Sequence, residues 1–140
     1  MRRICLITIV VLLICSGFGQ VWAQSEREKA VVSAAQAWLS LIDSGDYAGS
    51  WKEASTYFRG AVTEQTWVAS LEGVRKPLGD VISRKVVRTQ QSKTLPGAPD
   101  GRYVVMSFKT GFVQKRSAVE TVTFMLDNDK QWRAAGYYIK

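Results

Sequence analysis

The pattern of hydrophobic and polar positions changes its period once along the chain, near Gly79. Between residues 28 and 76 apolar side chains recur every three or four positions, which predicts helices. Asp46 and Thr63 stand where N-caps are expected, and Pro77 prevents the last helix from continuing. The pattern therefore indicates three helices, at residues 28–44, 46–60 and 63–76.

After Gly79 apolar residues alternate with polar ones, which is the period of half-buried strands. Four strands are predicted, at residues 81–88, 102–112, 118–126 and 132–139. Short polar turns connect consecutive strands, so the sheet is predicted to be an antiparallel meander. The fold class is therefore α+β: three N-terminal helices packed on a curved four-stranded antiparallel sheet (α-α-α-β-β-β-β).

The first 23 residues have a different pattern. Arg2 and Arg3 precede an apolar run at residues 4–14, and Val21 and Ala23 supply small side chains at the two positions that a signal peptidase reads. This arrangement predicts a secretory signal, cleaved after Ala23, and a single domain at residues 24–140. The apolar run is shorter than the ~20 residues of a membrane-spanning helix. We therefore expect an exported bacterial protein, periplasmic or secreted, without a membrane span after cleavage; the alternative is an uncleaved N-terminal anchor.

Both cysteines, Cys5 and Cys15, lie within the predicted signal. Lipidation of Cys15 is not expected, because Ile14 is bulkier than the Gly or Ala that precedes the modified cysteine of lipoproteins. The mature chain would then contain neither cysteine nor histidine. This excludes disulfides, thiolate nucleophiles, Ser-His-Asp triads and zinc sites with His or Cys ligands. No metal and no cofactor is expected.

The chain is moderately basic. Its formal net charge is +7, and removal of Arg2 and Arg3 with the signal leaves +5. Basic and acidic residues are interspersed, without a basic run that would follow a phosphate backbone. We therefore expect no nucleic-acid partner, whereas a weak attraction to anionic surfaces stays open.

Short segments along the whole predicted domain carry a resemblance to a known family. They are Trp38-Leu39, Gly45-Asp46-Tyr47, Ser50-Trp51, Pro77-Leu78-Gly79, Ser83-Arg84, Leu95-Pro96-Gly97, Asp100-Gly101, Glu120-Thr121-Val122-Thr123 and Trp132-Arg133-Ala134-Ala135-Gly136-Tyr137-Tyr138-Ile139. In these segments the chain resembles the bacterial exported domain-of-unknown-function family 4019. The order of elements resembles the nuclear-transport-factor-2-like (cystatin-like) cone. The resemblance implies that fold and export, and it implies no catalytic residue, because the family has none assigned.

Cone folds often hold a pocket between sheet and helices, and two charged residues are candidates for its lining. Glu120 lies in an apolar strand; if it points inward, burial would raise its pKa and suit it to acid/base chemistry. Its alternatives are a position at the sheet rim or a pair with Lys109 or Arg116. Arg84 could bind a carboxylate or phosphate, and its alternative is an internal salt bridge to Asp80, Glu120 or a helix carboxylate.

Three aromatic residues complete the candidate pocket or binding face: Trp51, Tyr103 and Tyr137. Tyr137 and Tyr138 should point to opposite faces of the last strand, so that one joins the core and the other faces solvent or a partner. The alternative to a partner site at this pair is ordinary cross-strand packing against Tyr103 or Phe108. The tryptophans at helical spacing are most simply core residues.

Two functions are consistent with these patterns. The preferred one is a non-enzymatic binding module of the cell envelope, which would bind an envelope protein or a small ligand through the concave face of the sheet. The absence of nucleophile and base motifs motivates it. The alternative is a cone-pocket enzyme, isomerase- or hydratase-like, with Glu120 as its acid/base. A homodimer through the sheet is a further arrangement, and the sequence does not specify the partner.

Overall fold

The computed structural model describes residues 16–140, with side chains described from residue 21 onward. Cys5, Cys15 and most of the predicted signal lie outside the described residues. The architecture is α+β, with helices followed by an antiparallel sheet. The elements are α1 (Ser16–Asp43), α2 (Tyr47–Lys52), α3 (Thr56–Ala61), α4 (Glu64–Val74), a short 3-10 helix (Lys76–Leu78), β1 (Val81–Ser92), β2 (Tyr103–Phe112), β3 (Ala118–Leu126) and β4 (Trp132–Ile139).

The first helix begins earlier than the sequence pattern predicts. Residues 1–30 and 31–140 form two units, and the described part of the first is helical from Ser16. Within it, Lys29 Nζ lies 3.0 Å from Glu26 Oε1, an exposed pair of a kind that contributes only about 0.3–0.5 kcal/mol. Cleavage after Ala23, which would shorten this helix, stays a prediction.

The predicted second helix is divided in the structure into α2 and α3. Asp46 caps α2 as predicted, accepting a hydrogen bond from Gly49 N at 2.9 Å. Ser55 causes the interruption: its hydroxyl caps α3 by accepting from Phe58 N at 3.1 Å, and its own N–H donates to Ala134 O of β4 at 2.8 Å. That N–H is therefore not available to a continuous helix. The described residues thus contain four α-helices rather than three.

The sheet is the predicted meander, in the order β1-β2-β3-β4 with every neighbouring pair antiparallel. The predicted bounds of β2, β3 and β4 are confirmed to within one residue, whereas β1 continues to Ser92. The register between β3 and β4 shifts by one residue: Thr123 pairs with Gly136, whereas Phe124 pairs with Ala134. Ala135 is the extra residue of this bulge. Ala134 and Tyr137 consequently share one face although three positions separate them.

One face of the sheet, here called the inner face, is covered by helices. Its members include Arg84, Val86, Val104, Met106, Phe108, Thr110, Glu120, Val122, Phe124, Ala134 and Tyr137. Against it packs the apolar stripe of α1 from Val31 to Ile42, with Trp38 edge-on to Phe124 and to Tyr137 at 6.2 and 5.8 Å between ring centres. Trp67 of α4 stacks on Trp38 at 6.1 Å. A buried tryptophan removes roughly 200 Å² from water, worth about 5 kcal/mol before entropy is counted.

Ser50 of α2 fixes the orientation of both core tryptophans. Its carbonyl accepts from Trp38 Nε1 at 2.8 Å, and its hydroxyl accepts from Trp67 Nε1 at 2.9 Å. A buried indole N–H without an acceptor is costly, so a small polar residue at this position holds the helical layer together.

Candidate functional site

The structure brings three of the predicted site residues together on the inner face: Arg84, Glu120 and Tyr137. Glu120 is fully buried, with 0% of its surface exposed. Its Oε1 accepts from Arg84 Nε at 2.8 Å and from Thr110 Oγ1 at 2.6 Å. Its Oε2 accepts from Tyr137 Oη at 2.5 Å and from Arg84 Nη2 at 3.3 Å. The side chain of Glu120 therefore points inward. Its charged partner is Arg84, and not Lys109 or Arg116, which were considered from the sequence.

Two further charged residues, Asp43 and Arg75, complete this network. Asp43, at the end of α1, accepts from Arg84 Nη1 at 2.6 Å and from Nη2 at 2.9 Å. It also accepts from Arg75 Nη2 at 3.1 Å. Arg75 is the C-cap residue of α4; its Nη1 donates to Gly79 O at 2.7 Å and its guanidinium lies 4.6 Å from the centre of the Phe112 ring. The network thus joins the C-terminal ends of α1 and α4 to the sheet.

The network is electrically balanced, with two guanidinium groups and two carboxyl groups. Burial raises the pKa of Asp43, but hydrogen bonds and charges from Arg84 and Arg75 outweigh it and bring that pKa below the ordinary 3.8. Burial lowers the pKa of Arg84, and its bonds to Asp43 and Glu120 more than reverse this effect. The pKa of Tyr137 is raised, first by burial and then by the Glu120 charge. Tyr137 therefore stays protonated and donates to Glu120 at physiological pH.

A pocket of about 430 Å³ opens where this network reaches the surface. Its charged lining residues are Asp43, Asp46, Glu72, Arg75, Lys76 and Asp80. Asp43 and Asp46 are already engaged, one with the two arginines and the other with the N-terminus of α2. Glu72 and Asp80 leave the rim mainly acidic, which favours positively charged solutes over anions.

The other two predicted site residues, Trp51 and Tyr103, do not join the network. Trp51 packs partly buried at the margin of the core, and its Nε1 donates to Val62 O at 2.7 Å. Tyr103 pairs with Met125 on the opposite face of the sheet from the core residues Val104 and Phe124. Its hydroxyl donates to Pro99 O at 2.5 Å, so the loop between β1 and β2 lies against it. The five predicted residues therefore do not form one surface.

The opposite side of the sheet, here called the outer face, carries side chains that are exposed or partly exposed, except at the end where the β1–β2 loop lies against Tyr103. Its side chains form rows across the strands. One row is Lys85, Lys109, Val119 and Lys140; the next is Arg88, Ser107, Thr121 and Tyr138; the third is Gln90, Val105, Thr123 and Gly136. Within the part of the chain that the structure describes, these rows carry four cations and neither aspartate nor glutamate.

The cations of the outer face differ from those of the inner face in their partners. Lys85 and Lys109 stand directly opposite each other on β1 and β2, and neither forms a salt bridge with any described residue. Like charges in directly opposed positions destabilise a sheet. Lys140 Nζ lies 5.5 Å from the centre of the Tyr138 ring, and Tyr138 is 51% exposed. Tyr137 packs partly buried against the core while Tyr138 faces solvent, as predicted for the paired tyrosines.

Sequence reasoning missed Asp43, Arg75 and Thr110, although it considered a helix carboxylate as a partner of Arg84. Asp43 and Arg75 stand at helix ends, where charged residues are ordinary, so no local pattern marks them. The outer face did carry a readable signal, since Lys109 alternates with the core residues Phe108 and Thr110. The ring contacts of Tyr137 are with Trp38 and Trp67, at 5.8 and 6.4 Å between ring centres.

The described residues lack both a metal-binding cluster and a membrane-spanning helix. Residues 16–140 contain no group of three or more His, Cys, Asp or Glu side chains arranged to hold a metal ion. None of the helices within the same range is both long and apolar enough to cross a membrane.

Comparison with known proteins gives one match. A family model described as "Protein of unknown function (DUF4019)" matches residues 34–137, which include the whole inner-face network and all but one of the outer-face cations. Searches of curated proteins and of solved structures found no match.

Proposed function

The chain belongs to the DUF4019 family of proteins of unknown function, and we propose that it acts as an exported, non-enzymatic binding module of the cell envelope whose contact surface is the outer face of the sheet. We also propose that the fold is of the nuclear-transport-factor-2-like type, with the helices filling the concave side of a curved sheet. In that arrangement the convex side is the one left for a partner.

The observation that carries this proposal is the contrast in charge pairing between the two faces. On the inner face the described arginines, Arg75 and Arg84, are held by carboxyl groups at 3.1 Å or less. On the outer face Lys85 and Lys109 face each other, and neither has a carboxyl partner among the residues that the structure describes. A directly opposed pair of lysines costs stability, and a partner that neutralises it would remove this cost.

The alternative enzyme, with Glu120 as acid/base, has less support. A general base must come within hydrogen-bond reach of the substrate proton. Glu120 has no exposed surface, and it accepts four hydrogen bonds from Arg84, Thr110 and Tyr137. Its carboxylate is therefore occupied by protein donors, and its role in this proposal is to hold the sheet to the helices.

Photocrosslinking in cells tests the proposal. A photoreactive amino acid replaces Thr121, at the centre of the outer face, in one variant and Ser70, an exposed residue of α4, in the matched control. We expect crosslinks to an envelope component, protein or lipid, from position 121 and few from position 70. Equal crosslinking from both positions, or none from position 121, would overturn the proposed contact surface.

A further inference from the structure

We infer that the outer face docks on an anionic phospholipid surface. This inference rests on the proposed function, because it names the partner of the same face. Three features of the face support it: the sign and placement of its charges, the apolar and aromatic side chains between them, and the poor match that the face offers to a second copy of itself.

The first feature is the placement of four cations on the outer face. Lys85, Lys109 and Lys140 share one row across the sheet, and Arg88 stands in the adjacent row. Arg88 Nη2 donates to the neutral Gln90 Oε1 at 2.8 Å, and Arg88 forms no salt bridge with any described residue. Each Lys or Arg close to an anionic bilayer raises the binding constant about fivefold. Four such residues on one face therefore give an attraction of several hundredfold relative to a neutral surface.

The side chains between the cations are apolar or amphipathic. Val119 is 41% exposed and lies in the same row as the three lysines. Tyr138 is half exposed beside Lys140, and Val87, the bulge residue of β1, is exposed next to Arg88. Tyrosine is favoured at the level of lipid headgroups, where its ring and hydroxyl meet different environments. A purely electrostatic site for a soluble anion would have no use for the exposed Val119 between Lys109 and Lys140.

A second copy of the chain matches this face poorly. In a symmetric dimer through the outer faces, the same patch would meet itself, because such interfaces are isologous. The four cations of one copy would then face the four cations of the other, and like charges brought together at an interface oppose association. We therefore do not expect a homodimer through the sheet, and the experiment below distinguishes it from membrane binding by sedimentation velocity.

The experiment is vesicle co-sedimentation of the chain as recovered after export. Phosphatidylcholine vesicles with and without phosphatidylglycerol are compared at low and at high salt. The test variant is Lys85→Gln with Lys109→Gln; the matched control is Lys52→Gln with Arg59→Gln, which removes the same charge from exposed positions on α2 and α3. A second variant, Arg88→Gln with Lys140→Gln, repeats the test should the first pair fail to fold. Circular dichroism melting verifies that each variant is folded.

We expect binding to the anionic vesicles only, weakened about 25-fold in the test variant and far less in the control. Binding should also fall steeply at 1 M salt, where the screening length shrinks to about 3 Å. Equal binding to neutral vesicles, or equal loss in test and control variants, would overturn the inference. So would tighter binding to a short DNA duplex than to the vesicles, or a dimer in sedimentation velocity that the test variant abolishes.

The outcomes also separate this inference from the proposed function. If position 121 crosslinks to a protein and the chain ignores anionic vesicles, the membrane partner is wrong while the contact surface stands. If position 121 crosslinks to nothing, the contact surface itself is wrong.

Discussion

The two faces of the sheet treat the same residue types in opposite ways. On the inner face Glu120 is buried and Arg84 and Tyr137 are partly buried, and each of them has a partner in a different element. On the outer face lysine and tyrosine are exposed, and Lys85 faces a like charge instead of an opposite one. Removing one member of a buried pair strands the other, whereas exposed charges contribute little to stability. The contrast teaches that the inner charges serve the fold and the outer charges are available for a partner.

The most severe test of the contrast is Glu120→Gln. The substitution keeps the size of the side chain but removes the charge that faces Arg84, and it leaves a donor where Thr110 and Tyr137 also donate. We expect a loss of about 3–5 kcal/mol in the free energy of unfolding, measured by urea denaturation. Glu53→Gln, at an exposed position, is the control. A loss below about 1 kcal/mol would show that the network does not hold the fold.

The next largest effect is expected from Asp43→Asn. Asp43 binds both arginines but its side chain is 26% exposed, so we expect a loss of about 2–3 kcal/mol near neutral pH. Folding lowers the pKa of Asp43. The contribution of Asp43 to the free energy of unfolding is therefore complete above its ordinary pKa of 3.8, and it disappears as the pH falls through the lower pKa of the folded state. The difference in stability between wild type and variant should therefore shrink in acid. A difference that is constant from pH 6 to the acid limit would contradict the assignment; Asp100→Asn is the control.

Tyr137 and Tyr138 offer a comparison between adjacent residues. Tyr137→Phe removes a hydrogen bond to the buried Glu120 carboxylate, and we expect a loss of about 1.5 kcal/mol. Tyr138→Phe removes a hydroxyl from an exposed ring and should change stability by less than about 0.5 kcal/mol. Thermal and urea unfolding of both variants checks this. Equal effects would mean that the two faces are not distinguished as described.

The smallest effect is expected on the outer face, with the opposite sign. Lys109→Gln relieves the repulsion from Lys85, so the free energy of unfolding should rise by a few tenths of a kcal/mol at low salt. The gain should vanish at 1 M salt, where exposed charges are screened. Lys52→Gln, which has no opposed lysine, should show no such gain. Destabilisation of more than about 1 kcal/mol by Lys109→Gln would contradict the description of this face.

Much of the fold could be predicted from periodicity, because the spacing of apolar residues along a helix or strand reflects which of its faces is buried. The alternation at Val104, Met106 and Phe108 predicted the inner face, and the helical spacing of Trp38 and Trp67 predicted core positions. The division between α2 and α3 could not be predicted, since it depends on a hydrogen bond from Ser55 to a strand almost 80 residues away.

The candidate site was predicted only in part, for a similar reason. Arg84 and Glu120 stood out because charged residues are unusual within apolar strands, and the interpretation of Arg84 as part of an internal salt bridge is in agreement with the structure. Asp43 and Arg75 lie at helix ends, and only the three-dimensional arrangement shows that they meet Arg84. The direction of Tyr137 depends on the bulge at Ala135, which no local sequence signal specifies.

The wide sequence separation within the inner-face network also bears on the order in which the fold assembles. Arg84 is 41 residues from Asp43 and 36 from Glu120, and Tyr137 belongs to β4, which follows the other described strands in the chain. Contacts between such distant segments come with a large loop-closure entropy, so they form after the local helices and hairpins. We expect Glu120→Gln to accelerate unfolding while leaving the refolding rate almost unchanged. Until β4 docks, Trp38 and Trp67 lack their contacts with the Tyr137 ring. The incomplete domain therefore exposes aromatic surface of the kind that promotes aggregation of folding intermediates.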